Sequence, residues 1–186
     1  GLGDVYKRQL KEVMPVVKKE NLAEFCDIFC EEGVFSVDES RQYLKKAREM
    51  GFKLKIHADE IVSLGGSELA GELKATSADH LLHASDAGIK AMAENGVVST
   101  LLPTTAFCLR EPFARAREMI DAGCAVALAT DFNPGSGFTF SVPLMLGLAV
   151  IYMHMTAEEA ITALTLNGAA AVGRADRIGS IEVGKQ

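Results

Sequence analysis

Three segments of the sequence place imidazole or carboxylate side chains directly after runs of apolar residues. "KLKIHADEI" contains His57 and Glu60, "SADH" contains Asp79 and His80, and "LATDFN" contains Asp131. Imidazole and carboxylate groups suit zinc or iron, and a nearby carboxylate can take a proton from water that such a metal activates. We therefore interpret His57, His80 and Asp131 as candidate parts of a metal-dependent hydrolytic site.

Structural roles for the same residues stay open at this point. A histidine at a strand end can simply be hydrogen-bonded, and "DFNPG" is rich in turn formers, so that Asp131 could be a turn or N-cap residue. We expect His83 to be structural, because it would face the other side of the strand from His80. We assign no catalytic role to His154, which lies at the predicted C-terminus of a helix.

Short β-rich runs alternate with helical runs along the chain and must position these side chains. We predict strands at residues 25–30, 52–57, 78–84, 97–103 and 125–132, and helices at residues 36–51, 67–75, 85–96, 111–123, 142–154 and 156–172. Ser36 with Glu39, and Thr156 with Glu159, match the capping box of a helix N-terminus. The alternation indicates βα units and a parallel sheet, in which sites form at the carboxyl ends of the strands.

Composition limits the class of protein. The 186 residues are 48% hydrophobic and 24% charged, with a net charge of −6, which is typical of one globular domain. No basic cluster predicts nucleic acid as a partner, and no apolar run of membrane-spanning length occurs. The four cysteines have neither disulfide-framework nor zinc-knuckle spacing, so we expect small buried apolar residues in a cytoplasmic protein.

Longer motifs carry a resemblance to a known family. "KIHADEI", "LGGSELAGELKATSADHL", "LLPTTAF", "LATDFNPGS" and "MTAEEAITALTLNGAAAVG" resemble the imidazolonepropionase family of the amidohydrolase superfamily. The likeness runs from about Leu10 to the last residue. It implies an α/β fold consisting of strands 4–8 of a (β/α)8 TIM barrel. It also implies one Zn²⁺ or Fe³⁺ ion and hydrolysis of the cyclic amide of imidazolone-5-propanoate to N-formimidoyl-L-glutamate, in histidine degradation.

The resemblance gives each candidate residue an expected role. His57 and Asp131 would be metal ligands from strands 5 and 8 of the barrel. His80 and Asp131 would orient or deprotonate water, and Glu60 would hydrogen-bond the imidazolone ring and shuttle a proton. The expected substrate-binding residues are Glu60, His80, Asn133, Gly135 and Ser136.

The sequence departs from the family pattern at both ends. The family takes two further metal ligands from a His-x-His pair, and none of the four histidines here belongs to one. We expect residues 10–178 to be a partial barrel, residues 179–186 to begin a truncated return to a β-sandwich, and residues 1–9 to be a non-native leader. We expect a longer parent, for which a homodimer is one possibility, to carry the activity, and the chain alone to bind metal weakly.

Two other functions stay open. Another amidohydrolase, such as a guanine or cytosine deaminase, would use similar metal chemistry on a different ring. A non-catalytic α/β fragment or binding module would explain the lack of a His-x-His pair. Turnover of imidazolone propanoate compared with guanine or cytosine separates the enzymes, and metal content separates an enzyme from a non-catalytic fragment.

Overall fold

The computed structural model describes residues 2–186, with side chains from Val5 onward. Gly1, the first residue of the expected leader, lies outside the described residues. The chain begins with a helical segment in which α1 (Leu2–Arg8) passes through a π-helical turn (Gln9–Val13) into α2 (Met14–Lys19). The remainder of the expected leader is thus helical, and its non-native origin stays a prediction.

Within residues 2–186, six short parallel strands form one sheet whose order follows the chain. They are β1 (Phe25–Cys26), β2 (Phe29–Cys30), β3 (Lys53–Ala58), β4 (Ser77–His80), β5 (Val98–Leu101) and β6 (Val126–Leu128). β1 and β2 are two parts of the strand predicted at residues 25–30, because both pair with β3 in one continuous register. Consecutive parallel strands joined by helices confirm the predicted α/β sheet.

In the part of the chain that the structure describes, eight further helices connect or follow the strands. They are α3 (Val37–Glu49), α4 (Gly66–Glu72), α5 (Asp86–Asn95), α6 (Pro103–Leu109), α7 (Ala116–Asp121), α8 (Val142–Tyr152), α9 (Ala157–Leu164) and α10 (Leu166–Ala171). Both predicted capping boxes are present, at the N-termini of α3 and α9. Of the helices within residues 2–186, none has the length and apolar character needed to cross a membrane.

Three strand boundaries differ from the prediction. The strand predicted at residues 125–132 ends at Leu128, and Asp131, whose φ of 48° does not fit an extended strand, lies in the loop after it. The strand predicted at residues 78–84 ends at His80, because His80 and Leu81 have positive φ angles of 75° and 62° and cannot continue an extended strand. His83 therefore lies in a loop, and the expectation that it faces the other side of a strand is wrong. Pro103 begins α6 instead of ending the fourth predicted strand, since proline suits the first turn of a helix.

Two predicted helices are also different in the structure. The prediction of a helix from residue 111 is wrong for residues 111–115, because α7 begins only at Ala116. The helix predicted at residues 156–172 is broken at Thr165, whose φ of −117° and ψ of −87° lie outside the helical region. The break redirects the chain, and Ala171 of α10 packs against Val98 and Ala127 of the sheet.

The alternation of side chains along β3 gives the sheet two different faces. Leu54 and Ile56 are buried in the main hydrophobic core, while Lys55 and His57 point to the opposite, inner face. Parallel register places Asp79 of β4 directly beside His57 on that inner face. The sheet therefore separates an apolar core from a surface that carries ionisable side chains.

The cysteines only partly follow the expectation. Cys30 and Cys124 are buried, whereas Cys26 and Cys108 are half-buried. Burial raises the pKa of the thiols of Cys26, Cys30 and Cys124, so these three groups are predominantly neutral near pH 7. At the other end of the chain, residues 179–186 form turns without a strand, and their assignment to a β-sandwich stays a prediction.

Candidate functional site

His57 lies near the carboxyl end of β3, close to two carboxylates from the neighbouring parts of the sheet. Its Nδ1 is 2.7 Å from Oδ2 of Asp27, which lies in the break between β1 and β2. Asp27, His57 and Asp79 offer ligand atoms that all lie within 4.8 Å of one another. Burial alone would lower the pKa of His57, but the carboxylate of Asp27, with Asp79 and Glu60, leaves that pKa raised.

Asp79 is the most enclosed member of this group. Burial raises the pKa of its carboxyl group, and the ammonium of Lys55 and the hydroxyl of Ser77 act in the opposite direction. Nζ of Lys55 is 3.7 Å from one carboxylate oxygen, and Ser77 donates a 2.9 Å hydrogen bond to the other. Side chains from β3 and β4 thus hold the carboxylate of Asp79 on the inner face of the sheet.

His80 and Glu60 form a second pair beside His57. The ring centroids of His57 and His80 are 5.2 Å apart, and Nδ1 of His80 is 3.4 Å from Oε1 of Glu60. His80 is only 3% exposed, and burial together with the charge of His57 lowers its pKa to about 4. Burial also raises the pKa of Glu60. A neutral imidazole beside a carboxyl group of raised pKa is a suitable arrangement for proton transfer near neutral pH.

Asp131 follows β6 and is held in place from α6. The hydroxyl of Thr105 donates a 2.8 Å hydrogen bond to Oδ2 of Asp131, and the hydroxyl of Thr104 donates a 2.6 Å bond to the carbonyl of Thr130. Asp131 has a φ of 48°, which aspartate tolerates better than most residues. Two adjacent threonines therefore fix the backbone and the carboxylate at the end of the last strand.

Two clefts at the end of the sheet collect the candidate residues. The first has a volume of about 390 Å³ and is lined by His57, Asp79 and Asp131, with Lys55, Thr100 and residues of α10 around them. The second has a volume of about 310 Å³, and its lining includes Glu60, His80 and Thr105. His57 and Asp131 thus line one cleft, Glu60 and His80 line the other, and the two histidine rings lie side by side between them.

The predicted substrate-binding residues after Asp131 line neither cleft. Oδ1 of Asn133 accepts hydrogen bonds of 2.8 Å from the backbone N–H groups of Gly135 and Ser136, and its Nδ2 donates to the carbonyl of Asp131 at 2.7 Å. The Asn133 side chain is therefore occupied in shaping its own turn, as asparagine commonly does. A role of Asn133, Gly135 and Ser136 in substrate binding stays a prediction.

Asp59, between His57 and Glu60, is a buried carboxylate to which the sequence analysis gave no role. Its two oxygens accept hydrogen bonds from the backbone N–H groups of residues 64–67 and from the hydroxyl of Ser67. Its φ of 49° turns the chain sharply after β3. Asp59 therefore fixes the loop between the strand and the N-terminus of α4.

Sequence reasoning also missed the contacts made by Asp27, Asp79 and Thr105. Asp79 carried a usable signal, because its spacing from Ser77 places both on one face of a strand. Asp27 and Thr105 reach the site through the pairing of β1 and β2 with β3 and through the position of α6. Those relationships are long-range, and no local pattern encodes them.

The chain is similar to known proteins over most of its length, and this similarity shows its family. The amidohydrolase family matches residues 19–186. The chain belongs to the amidohydrolase family. This amidohydrolase is 72% identical over 177 residues to an imidazolonepropionase of Clostridium tetani, and 69% identical over 187 residues to one of Bacteroides thetaiotaomicron. These matches cover 95% and 100% of the chain but 42% and 45% of the relatives, so the chain spans less than half of their length.

Two solved structures share the fold of this chain. An adenosine deaminase from Xanthomonas campestris with bound zinc matches with a TM-score of 0.70 and 24% identity, over 82% of this chain and 40% of the other. Guanine deaminase of E. coli matches with a TM-score of 0.67 and 20% identity, over 81% and 40%. At such identities the likeness concerns the fold alone. Together with the consecutive parallel strands, it confirms the predicted partial TIM barrel.

Proposed function

We propose that this sequence is part of an imidazolonepropionase, which hydrolyses the cyclic amide of imidazolone-5-propanoate to N-formimidoyl-L-glutamate in histidine degradation. The main support is the 72% identity, across 95% of the chain, to a curated relative of that name. The proposal concerns the whole protein, because the chain spans only 42% of that relative. A small-molecule substrate of amino-acid degradation also favours a cytoplasmic location.

We further propose that His57 and Asp131 hold one zinc or iron ion, with Asp27 and Asp79 close by. Nitrogen and carboxylate donors fit either metal. Nδ1 of His57 lies 2.7 Å from Oδ2 of Asp27, and ligand atoms of Asp27, His57 and Asp79 lie within 4.8 Å of one another, which suits donors that converge on one ion. When bound, such an ion supplies Lewis acidity that polarises a carbonyl and favours hydroxide near neutral pH.

The chain's own residues supply the proton transfers of the proposed reaction. His80 is neutral at pH 7, since its pKa is about 4, and it can orient water or the ring carbonyl by hydrogen bonding. Asp131 has one oxygen engaged by Thr105, which leaves the other to accept a proton from water. Glu60, whose pKa is raised by burial, can deliver a proton to the ring nitrogen as the C–N bond breaks.

A deaminase of guanine or cytosine has weaker support. Curated relatives that are 63–72% identical to the chain are imidazolonepropionases. The guanine deaminase with a similar fold is only 20% identical. The three candidate functions, including a non-catalytic fragment, make different predictions about turnover and metal content.

A chimera tests the proposal directly. The matched part of this chain replaces the corresponding 177 residues of the Clostridium tetani relative, and the purified chimera is assayed with imidazolone propanoate, guanine and cytosine. We expect turnover of imidazolone propanoate only, and a fall in kcat of about 10²- to 10⁴-fold for Asp131→Asn. Turnover of guanine or cytosine instead would support the deaminase.

Metal content gives a readout that does not depend on activity. We expect about one zinc or iron ion per folded chimera and much less in His57→Ala, measured by elemental analysis, because an imidazole ligand is lost. A chimera that folds, contains no metal and turns over none of the three substrates would support the non-catalytic fragment. Light scattering on the same sample would show whether the protein is a homodimer.

A further inference from the structure

We propose that Glu31 is a positioning residue for Glu60, because its buried carboxylate fixes the direction in which the chain leaves β3. The inference rests on the proposed function only where it assigns Glu60 a part in turnover. The structural part, that Glu31 holds the backbone of Glu60, stands on hydrogen bonds and burial.

Glu31 is a buried carboxylate whose partners are all backbone N–H groups. It is 1% exposed, its Oε2 accepts hydrogen bonds from Glu60 at 2.9 Å and Ile61 at 2.8 Å, and its Oε1 accepts one from Glu32 at 2.9 Å. Within residues 5–186, whose side chains are described, no cation forms a salt bridge with it. A carboxylate is costly to bury without such bonds, so these three N–H groups account for its place in the interior.

The Glu31 side chain takes over where backbone pairing stops. β2 pairs with β3 as far as Cys30 opposite Ala58, and the chain then turns away from the sheet at residues 31–35. The N–H groups of Glu60 and Ile61 lie just beyond this last pair and bond to the side chain instead. The Glu31 carboxylate thus continues the hydrogen bonding between the two chain segments beyond the last backbone pair.

Glu31 can impose a direction because its own backbone is anchored. Its N–H donates to the carbonyl of Phe35 at 3.1 Å, and its carbonyl accepts from the N–H of Val34 at 3.0 Å. This short closed turn leads into α3, whose capping box begins at Ser36. The carboxylate is therefore presented from a fixed element to the loop that carries Glu60.

The orientation of Glu60 matters because its Oε1 lies 3.4 Å from Nδ1 of His80. Loss of the bond to the Glu60 N–H would let the loop after Asp59 rotate and would move that oxygen. A displacement of about 1 Å in a reacting group can cost about 100-fold in rate. Glu31 lines neither cleft, so its influence acts through Glu60 and not on the substrate.

Two conservative variants separate the effect of side-chain length at position 31 from the effect of its charge. Glu31→Asp keeps the charge but is one methylene shorter, whereas Glu31→Gln keeps the length and one acceptor oxygen. Glu32→Asp and Glu32→Gln are matched controls, since Glu32 is the exposed neighbour on the same turn. Amide hydrogen exchange is measured on the full 186-residue chain.

We expect Glu31→Asp to accelerate exchange at Glu60 and Ile61 by about tenfold or more, because these N–H groups lose a bond of about 1.4 kcal/mol. Exchange at Leu69 in α4 should stay unchanged, and Glu31→Gln should keep most of the protection at Glu60 and Ile61. Continued protection in Glu31→Asp, loss of protection throughout the chain, or loss in Glu31→Gln would each overturn the proposal. If Glu31→Asp fails to fold, the exchange at Glu60 and Ile61 in Glu31→Gln decides the result.

Turnover tests the functional part in the chimera described above. We expect Glu31→Asp to lower kcat about tenfold or more with unchanged metal content, and Glu31→Gln to restore most of it. Normal kcat in a Glu31→Asp variant that exposes the Glu60 amide would overturn the positioning role. An inactive parent chimera would count against the proposed function, while the exchange results would still decide what Glu31 does.

Discussion

The hydroxyl of Thr105 donates a 2.8 Å hydrogen bond to Oδ2 of Asp131. The two residues lie 26 positions apart, and Thr105 is 2% exposed. The bond engages one oxygen of the carboxylate and leaves the other free of Thr105. The first turn of α6 therefore sets the orientation of the Asp131 carboxylate after β6.

Removal of this hydroxyl should reduce turnover, because the Asp131 carboxylate loses the bond that orients it. We expect Thr105→Val to lower the kcat of the chimera by about tenfold, because a bond to a charged acceptor is worth about 1.5–3 kcal/mol, and Thr105→Ser to restore it. Thr104→Val is the matched control, since that hydroxyl serves a backbone carbonyl. It should lose about 1 kcal/mol of unfolding free energy and lower kcat less than Thr105→Val does, because the bond to the carboxylate of Asp131 remains. Equal kcat values for the two valine variants would argue against the role of Thr105.

Asp59 should be a major determinant of stability. Asp59→Asn leaves one acceptor oxygen for a group of buried donors, and we expect a loss of about 3 kcal/mol in the free energy of unfolding, measured with urea on the full chain. Asp86→Asn is the control, because that side chain is 92% exposed and pairs with Arg115 at the surface. Its change should stay below about 1 kcal/mol. Similar losses in the two variants would contradict the prediction.

The same glycine-to-alanine change should have opposite effects in two helices. A Cβ at Gly71 in α4 would lie 2.6 Å from Cβ of Ala91 in α5, so Gly71→Ala should cost about 1–3 kcal/mol. A Cβ at Gly147 in α8 would meet no atom of the described chain within 4 Å. Gly147→Ala should therefore stabilise by up to about 1 kcal/mol, through helix propensity. Thermal unfolding of both variants checks the sign, and destabilisation by Gly147→Ala would refute the second half.

Glu159 should contribute to the loss of stability in acid. Hydrogen bonds from Arg117, followed by that from the Thr156 N–H, lower the pKa of Glu159 below its ordinary value of 4.5. A lowered folded-state pKa means that the contribution is full above the unfolded value and disappears as the pH falls through the folded value. Glu159→Gln should therefore flatten the decline of Tm below about pH 4.5.

Glu158→Gln serves as the control for this comparison, because the exposed Glu158 precedes Glu159 on the same helix turn. It should leave the acid limb of the Tm profile as steep as in the parent chain. Parallel acid limbs for Glu159→Gln and the parent would show that the contacts with Arg117 and Thr156 contribute little.

Local patterns in the sequence were sufficient for the approximate positions of the strands and for the starts of α3 and α9. Ser36 with Glu39, and Thr156 with Glu159, cap helices through atoms three residues apart, so the signal lies within one short segment. The position of His57 at a strand end followed from the apolar run before it. These features need no knowledge of distant contacts.

Backbone conformations and long-range contacts were beyond such patterns. Nothing local marks the positive φ of His80, which ends β4 earlier than its apolar continuation predicts. The approach of Asp27 to His57 depends on how two strands are paired, and the burial of Glu31 depends on a loop 29 positions away. The sequence therefore predicted the kinds of side chain at the site better than the network that holds them.

The order of the sheet has a consequence for how the molecule assembles. Each strand from β3 to β6 pairs with a strand that precedes it in the chain, so that partner has already been synthesised when the later strand leaves the ribosome. Contacts between neighbouring segments form quickly, because little chain entropy is lost in closing them. The sheet can thus grow during translation by adding one βα unit at a time, from β1 to β6.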